Sequence, residues 1–384
     1  MKIAFDSWVL SSRLRHHGTY VYAQSLIGQF KRIAALRTEI RFCLFTSQQA
    51  ANDANAITAN GGNGFELIPT RLLAYDRLWR LGAGTLAAAR ARADLIFAPT
   101  LSMAPVGPIP LVCTIHDVTP VVMPTFSAKV TLWLRSLLWS VVKLSRGIIT
   151  DSECSKKDLV RIYGLPEEKV SVVYLGYDRA VFNSAPPDPA RQKALLDRLG
   201  IERPYLLHHG IVQPRKNLQR LIAAFNLMLS RNRNLEMDLV LAGPLGWDYE
   251  EIVAAAGAVE ARQGRVILTG ALDDAELAML IKGAGLAVIP SLYEGFCLPM
   301  VEAMACGAPV VAANSSCLPE VSGGVLRYFD PLSVEDMANC IEGVLESETA
   351  RRKLSQEGAA RVGCFSWERC AQETLEVLAR CGAR

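Results

Sequence analysis

Pro290-Ser291-Leu292-Tyr293-Glu294-Gly295-Phe296-Cys297-Leu298-Pro299-Met300-Val301-Glu302 is the stretch from which the fold and the chemistry of this chain are read. It follows the apolar run 286–289 and turns into a helix, with Pro299 in the first turn, where its fixed φ and missing N–H cost least. Glu294 falls on the loop and Glu302 about one turn into the helix. The backbone N–H groups of Gly295, Phe296, Cys297 and Leu298 converge at the helix start, which favours a phosphate or a developing anion. Carboxylates beside such a point accept hydrogen bonds from sugar hydroxyls. Two of them eight residues apart can hold two parts of one ligand. A bare pair of glutamates fits equally well a helix-start acid and a surface acid, so the surroundings have to decide.

Outward from this stretch, apolar runs alternate with amphipathic ones along the whole chain. Strands are expected at 2–5, 41–46, 95–98, 111–115, 147–150 and 170–173, and helices between them, such as 19–36 and 129–143. A second alternation puts strands at 205–209, 238–242, 265–269, 286–289, 309–312 and near 325–328. Helices fit 217–229, 273–282, 299–305 and 334–346. This is the βαβ pattern of parallel sheets covered on both faces. The stretch Asn183-Ser184-Ala185-Pro186-Pro187-Asp188-Pro189 is rich in chain breakers and reads as an interdomain linker. The fold class is therefore α/β with two doubly wound, Rossmann-like domains. The first spans 1–182, completed by a C-terminal helix at 366–384; the second spans 183–365. Ligands are expected in a crevice at the carboxyl ends of the strands. The polar, Gly- and Asn-rich stretch 52–64 reads as a flexible loop.

Composition narrows the class. The chain has 384 residues, 51% hydrophobic and 21% charged, which suits large cores and excludes global disorder. No apolar run reaches the roughly 18 residues of a spanning helix; the best candidate, 130–145, is broken by Arg135 and Lys143. The start, Met1-Lys2-Ile3-Ala4-Phe5-Asp6, lacks the features of a secretion signal, so a cytoplasmic location is expected. Ten cysteines include no C-x-x-C pair, which points to free, mostly buried thiols. The net charge of +3 conceals an asymmetry: residues 1–180 hold 21 basic and 13 acidic side chains, the remainder 20 and 25. A basic first half suits an anionic membrane surface or a phosphorylated acceptor. Its basic residues are scattered rather than clustered, which argues against nucleic acid.

Glu-x7-Glu, set within Pro-Ser-Leu-Tyr-Glu-Gly-Phe-x-Leu-Pro-x-x-Glu-Ala-Met-Ala-Cys-Gly-x-Pro-Val-Val, resembles the retaining glycosyltransferases of family 4, which have the GT-B fold. Gln213-Pro214-Arg215-Lys216-Asn217-Leu218 is similar to the basic turn after the first strand of that family's second domain. Ser315-Ser316-Cys317-Leu318-Pro319-Glu320-Val321 resembles its loop before the next helix, and Phe365-Ser366-Trp367-Glu368 the start of its last helix. The likeness covers the whole chain and is densest over 205–330.

The resemblance implies roles. Glu294 would grip hydroxyls of the donor sugar and Glu302 the nucleotide ribose. Arg215 and Lys216 would neutralise the departing diphosphate, two cations replacing a metal ion. Many family members carry an arginine directly after the glycine that ends this strand, whereas here Gly210 is followed by Ile211. Arg215 or Lys216 would then fill that role. His116, at the end of the apolar run 111–115, corresponds to a family histidine that contacts the donor sugar near its reacting carbon. Asp117 would orient the ring or cap the next turn. In Arg15-His16-His17-Gly18-Thr19-Tyr20, Gly18 would let backbone approach the diphosphate or the acceptor. His16 and His17 have no partner at metal-ligand spacing, and no metal or other cofactor is expected.

The resemblance points to sugar transfer from a nucleotide donor with retained configuration. Pro-Arg-Lys-Asn together with Ser-Ser-x-Leu-Pro-Glu-Val is similar to the mannosyltransferase branch, so GDP-mannose is the expected donor, with UDP-glucose or UDP-N-acetylglucosamine the alternative. The expected acceptor is a saccharide, free or polyprenyl-linked, in cell-surface polysaccharide synthesis. The stretch 126–146 mixes Trp133, Leu134, Leu137, Leu138 and Trp139 with Lys129, Arg135, Lys143 and Arg146. It fits either an interfacial helix on the inner membrane face or an ordinary helix packed on the sheet. Rival readings are a sugar-nucleotide epimerase of the same fold, a nonenzymatic sugar binder and a nicotinamide dehydrogenase. The last would need a G-x-G-x-x-G fingerprint that this chain lacks.

Overall fold

The structure, a computed structural model, describes residues 1–11, 18–37, 39–46, 64–70, 78–103, 106–123, 128–259 and 264–383. The chain divides into two compact units: Met1–Gly176 with Phe365–Arg384, and Tyr177–Cys364.

In the first unit, β1 (Lys2–Phe5), β2 (Arg41–Thr46), β3 (Phe65–Pro69), β4 (Leu95–Ala98), β5 (Leu111–Thr114), β6 (Gly147–Thr150) and β7 (Val170–Val172) form one parallel sheet in the order 3-2-1-4-5-6-7. The central strands β4, β5 and β6 are buried along their whole length, as continuous Val, Ile and Leu runs require when helices cover both faces. The helix Gly18–Leu36 buries Tyr22, Ala23, Leu26, Ile27, Phe30 and Ala34, one stripe at helical spacing. Phe30 stacks on Phe42 at 4.9 Å between ring centroids and meets Phe5 edge-on at 6.3 Å. The last helix, Trp367–Gly382, is capped by the Ser366 hydroxyl and buries Trp367, Cys370, Leu375 and Leu378. Its start presses on Gly176, where an added Cβ would lie 2.1 Å from the Trp367 backbone nitrogen, so only glycine fits.

In the second unit, β8 (Tyr205–His209), β9 (Asp238–Ala242), β10 (Val266–Gly270), β11 (Leu286–Ile289), β12 (Val310–Ala313) and β13 (Arg327–Phe329) form a parallel sheet in the order 10-9-8-11-12-13. The order reverses direction between β8 and β11, the switch point at which such sheets open a crevice beyond their strand ends. Leu206 pairs with Leu286 and Leu207 with Ala287. In that register, Gly210 and Pro290 leave the sheet side by side.

Two features differ from the sequence reading. β3 was not expected: Glu66 and Pro69 interrupt its apolar pattern. It is an edge strand, where proline is tolerated, and Glu66 there meets Lys2 at 2.7 Å. The chain passes between units at 176/177 and 364/365, so the breaker-rich stretch 183–189 lies inside the second unit. Its residues serve a helix start instead: the Asp188 carboxylate accepts from the N–H groups of Ala190 and Arg191, and Pro189 opens the helix Pro189–Leu199. The expected loop 52–64 falls outside the described residues except for Gly64.

Candidate functional site

At the switch point of the second unit, the loop after β8 meets the loop after β11. Gly210 ends the first strand at φ +127°, a conformation that favours glycine. The turn Pro214–Lys216 follows, and Asn217 breaks it at φ +60°. The Asn217 amide donates to the carbonyls of Pro290 at 3.1 Å and Pro331 at 2.7 Å, so one side chain ties the basic turn to the second loop. The N–H of Leu292 donates to the Arg215 carbonyl at 3.0 Å. Lys216 is thereby buried, which is rare for lysine without a partner.

The partner is Glu294. Its Oε1 accepts from Lys216 Nζ at 2.6 Å and its Oε2 from Arg215 at 2.5 Å. Arg215 also donates to the Tyr293 carbonyl at 2.6 Å, and the Glu294 N–H donates to Ser316 Oγ at 3.0 Å. Burial alone would raise the Glu294 carboxyl. The Arg215 and Lys216 charges overrule it and hold the group down at about 2. Two cations facing one ionised carboxylate leave an excess of positive charge at a partly covered strand end, which suits an anion. A carboxylate has about four acceptor positions, and the two cations take two of them. Hydroxyl donors can fill the rest.

Beyond Glu294 the chain enters the helix Leu298–Ala305 through Cys297, left-handed at φ +74°. Gly295, Phe296 and Cys297 are buried and Leu298 half-buried. Burial, with the Glu294 charge, pushes the Cys297 thiol up to about 12, so it is no nucleophile at neutral pH. Glu302 is half-buried on this helix, and its Oε2 lies 3.1 Å from His209 Nε2. Glu294, Arg215 and Lys216 are thus brought together, flanked by Gly210; His209 joins Glu302.

In the first unit, His116 stands just beyond β5. Its Nδ1 lies 2.7 Å from Asp151 Oδ2 and its Nε2 3.0 Å from the Pro99 carbonyl. Both ring nitrogens face acceptors, so the ring that satisfies both is the imidazolium. Burial disfavours that charge, but Asp151 outweighs it and raises the histidine above its ordinary value. A ring N–H contact to a ligand therefore requires release of the Pro99 carbonyl. Asp117 caps the next turn, accepting from the Thr119 N–H at 2.9 Å, while Asp151 orients the ring. Gly18 starts its helix in an exposed position. Arg15, His16 and His17 lie outside the described residues.

Sequence reasoning missed Asp151 and His209. Both carried a usable signal: each ends an apolar strand or follows it directly, where side chains reach the carboxyl-end surface. Ser316 stands within the motif Ser315–Val321, whose sequence gives no sign of its bond to the Glu294 backbone.

Comparison with known proteins fits this geometry. Residues 195–361 match the family Glycosyl transferases group 1, and residues 30–181 match Glycosyltransferase Family 4. The O-antigen chain mannosyltransferase B of Escherichia coli is 30% identical over 69% of this chain and 68% of its own length. The MMP alpha-(1->4)-mannosyltransferase of Mycolicibacterium hassiacum is 30% identical over 74% of this chain and 68% of its own. The solved structure of HepE from Anabaena, in complex with UDP and glucose, superposes with a TM-score of 0.74 at 20% identity, covering 99% of this chain and 100% of that one. With the two halves matched in chain order and the relatives aligned over two thirds of their length, the chain belongs to glycosyltransferase family 4 and is a nucleotide-sugar glycosyltransferase of the GT-B fold.

Proposed function

We propose that the chain transfers mannose from GDP-mannose to a saccharide acceptor, with retention of configuration and without a metal ion. The Arg215–Lys216–Glu294 cluster at the switch point carries the reading. As the bond to the sugar breaks, negative charge grows on the diphosphate. Arg215 and Lys216 are already desolvated and fixed by Glu294, so they stabilise that charge without reorganising. Glu294 stays ionised and accepts from the sugar hydroxyls, and Glu302 accepts from the ribose hydroxyls. The departing phosphate takes the acceptor proton, so no side-chain nucleophile is required. The mannosyltransferase names of the relatives support mannose and, with it, a guanine nucleotide.

The test is release of GDP from GDP-mannose, with and without a chelator, in the presence of oligomannoside acceptors. Acceptor-dependent release, unaltered by the chelator and yielding an α-linked product by NMR, is the expected result. Loss of activity on chelation would remove the metal-free mechanism. Donor consumption without acceptor would favour the epimerase reading, and activity only with UDP-sugars would replace the donor.

The acceptor, in this reading, is carried on a lipid, and the first unit meets an anionic membrane surface. The helix Ala128–Leu144 supports it: Leu132 and Trp139, seven residues apart on one side, are each exposed by more than half, as is Leu144 at the helix end. Among the described residues, no helix is long and apolar enough to cross a membrane. Contact would therefore be lateral.

A further inference from the structure

We infer that His209 is a positioning residue for the nucleotide ribose, acting through Glu302. The inference rests on the reading of Glu302 given above and adds a residue to it.

His209 is the last residue of β8, and its side chain is almost fully buried, at 2% exposure. Nε2 lies 3.1 Å from Glu302 Oε2. Nδ1 is buried and has no hydrogen-bond partner among the described residues. The proton of a neutral imidazole occupies one nitrogen or the other. On Nδ1 it would be a buried donor with nothing to meet, a costly state, and Nε2 would turn a lone pair toward a carboxylate. On Nε2 it is donated to Glu302. Only the second tautomer fits, so His209 is a one-way donor aimed at a single oxygen.

The consequence falls on Glu302. Its side chain is 18% exposed and otherwise has rotamers to choose from. Oε2 is held by the buried ring, and no described residue forms a hydrogen bond with Oε1. A carboxylate fixed by one oxygen presents the other in a set direction and keeps further lone pairs on both. Vicinal ribose hydroxyls are two donors close together, which a fixed carboxylate can accept as a pair. The neighbouring ring is engaged elsewhere, since His208 faces the Val288 carbonyl at 3.0 Å inside the sheet. His209 thus sets the preference for a ribonucleotide, while the diphosphate contacts belong to Arg215 and Lys216.

The experiment compares binding of GDP and 2′,3′-dideoxy-GDP, by calorimetry on the full chain, in the wild type, His209→Leu and His209→Gln. Wild type is expected to prefer GDP by about tenfold or more, as for hydrogen bonds to a charged group. His209→Leu should bring the two affinities together by weakening GDP alone. His209→Gln, whose amide can donate to Glu302, should restore much of the preference. In turnover the loss should appear in the KM for donor and leave kcat nearly unchanged. Should leucine destabilise the strand end, His209→Phe makes the same comparison with a planar ring and no donor. A wild-type preference retained in His209→Leu or His209→Phe would overturn the inference and leave the nucleotide site intact. Wild-type chain that binds GDP no better than 2′,3′-dideoxy-GDP would overturn the ribose role of Glu302, and chain that binds neither would overturn the nucleotide site; either result takes this inference with it.

Discussion

Burial and charge pull Glu294 in opposite directions, and the two cations win. Its pKa falls from 4.5 to about 2, so its contribution to stability is full above pH 4.5 and lost as the pH drops toward 2. The stability gap between wild type and Glu294→Gln is expected to narrow over that window by on the order of 3 kcal/mol, read by chemical denaturation at each pH. A gap constant with pH would mean that the carboxylate is not ion-paired. In activity, the proposed contact of Glu294 with the sugar hydroxyls predicts that Glu294→Gln lowers kcat far more than affinity for free GDP. His116 has the opposite sign. Its raised value means that stabilisation is present below about 6.5 and lost as the pH rises through the folded value. Nitrogen NMR should show both ring nitrogens protonated at pH 6.5 in wild type and a lowered titration in Asp151→Asn; a neutral wild-type ring at that pH would contradict the pairing. The glutamates and the basic turn were legible through the motifs that carry the family resemblance, and His116 through that resemblance and its place at the end of an apolar run. Asp151 and His209 carried only the weaker signal of a strand end, and their pairing was hidden, because their partners lie 35 and 93 residues away and only the fold brings them together.

The helix Ala128–Leu144 shows what a sequence pattern leaves undecided. Leu137, Leu138, Val141 and Val142 face inward, Leu132 and Trp139 face out, and Leu144 is exposed at the helix end. The basic residues, an interfacial fringe on one reading and a solvated face on the other, are partly engaged elsewhere: Arg135 donates to the carbonyls of Pro120 and Val121, and Lys143 to that of Tyr163. Trp133 lies beside Arg80, whose guanidinium stands 5.3 Å from its ring centroid. Trp133 is therefore a packing residue as well as an exposed one, and Trp139 is the cleaner probe. Trp139→Ala should reduce binding to vesicles containing anionic lipid while shifting stability by less than about 0.5 kcal/mol. Leu138→Ala should cost about 2–5 kcal/mol with vesicle binding kept while the chain stays folded. Unchanged vesicle binding in Trp139→Ala would return the helix to an ordinary cover of the sheet. Helix and strand positions were largely legible from periodicity, since central parallel strands are continuous apolar runs. The edge strand β3 was not, because an edge tolerates the charge and proline that hide it.

Across the whole molecule, the two sheets share one winding, and each reverses at its first strand. That repetition was visible as two rounds of alternation. The boundary at 176/177 was not, because proline and aspartate starting a helix carry the same composition as a linker. Residues 177–364 form one uninterrupted segment with its own sheet and the whole basic cluster. Expressed alone, they should fold and bind GDP with an affinity within about tenfold of the full chain, measured by calorimetry. A folded segment without affinity would move the nucleotide contacts into the other unit.

The most direct test of the central claim is calorimetric titration of the full chain with GDP, UDP and ADP, with and without magnesium, alongside Lys216→Ala. Selective binding of GDP, the same with and without magnesium and weakened at least tenfold in the variant, is the expected result. Binding of GDP that requires magnesium, or that Lys216→Ala leaves unchanged, would contradict it.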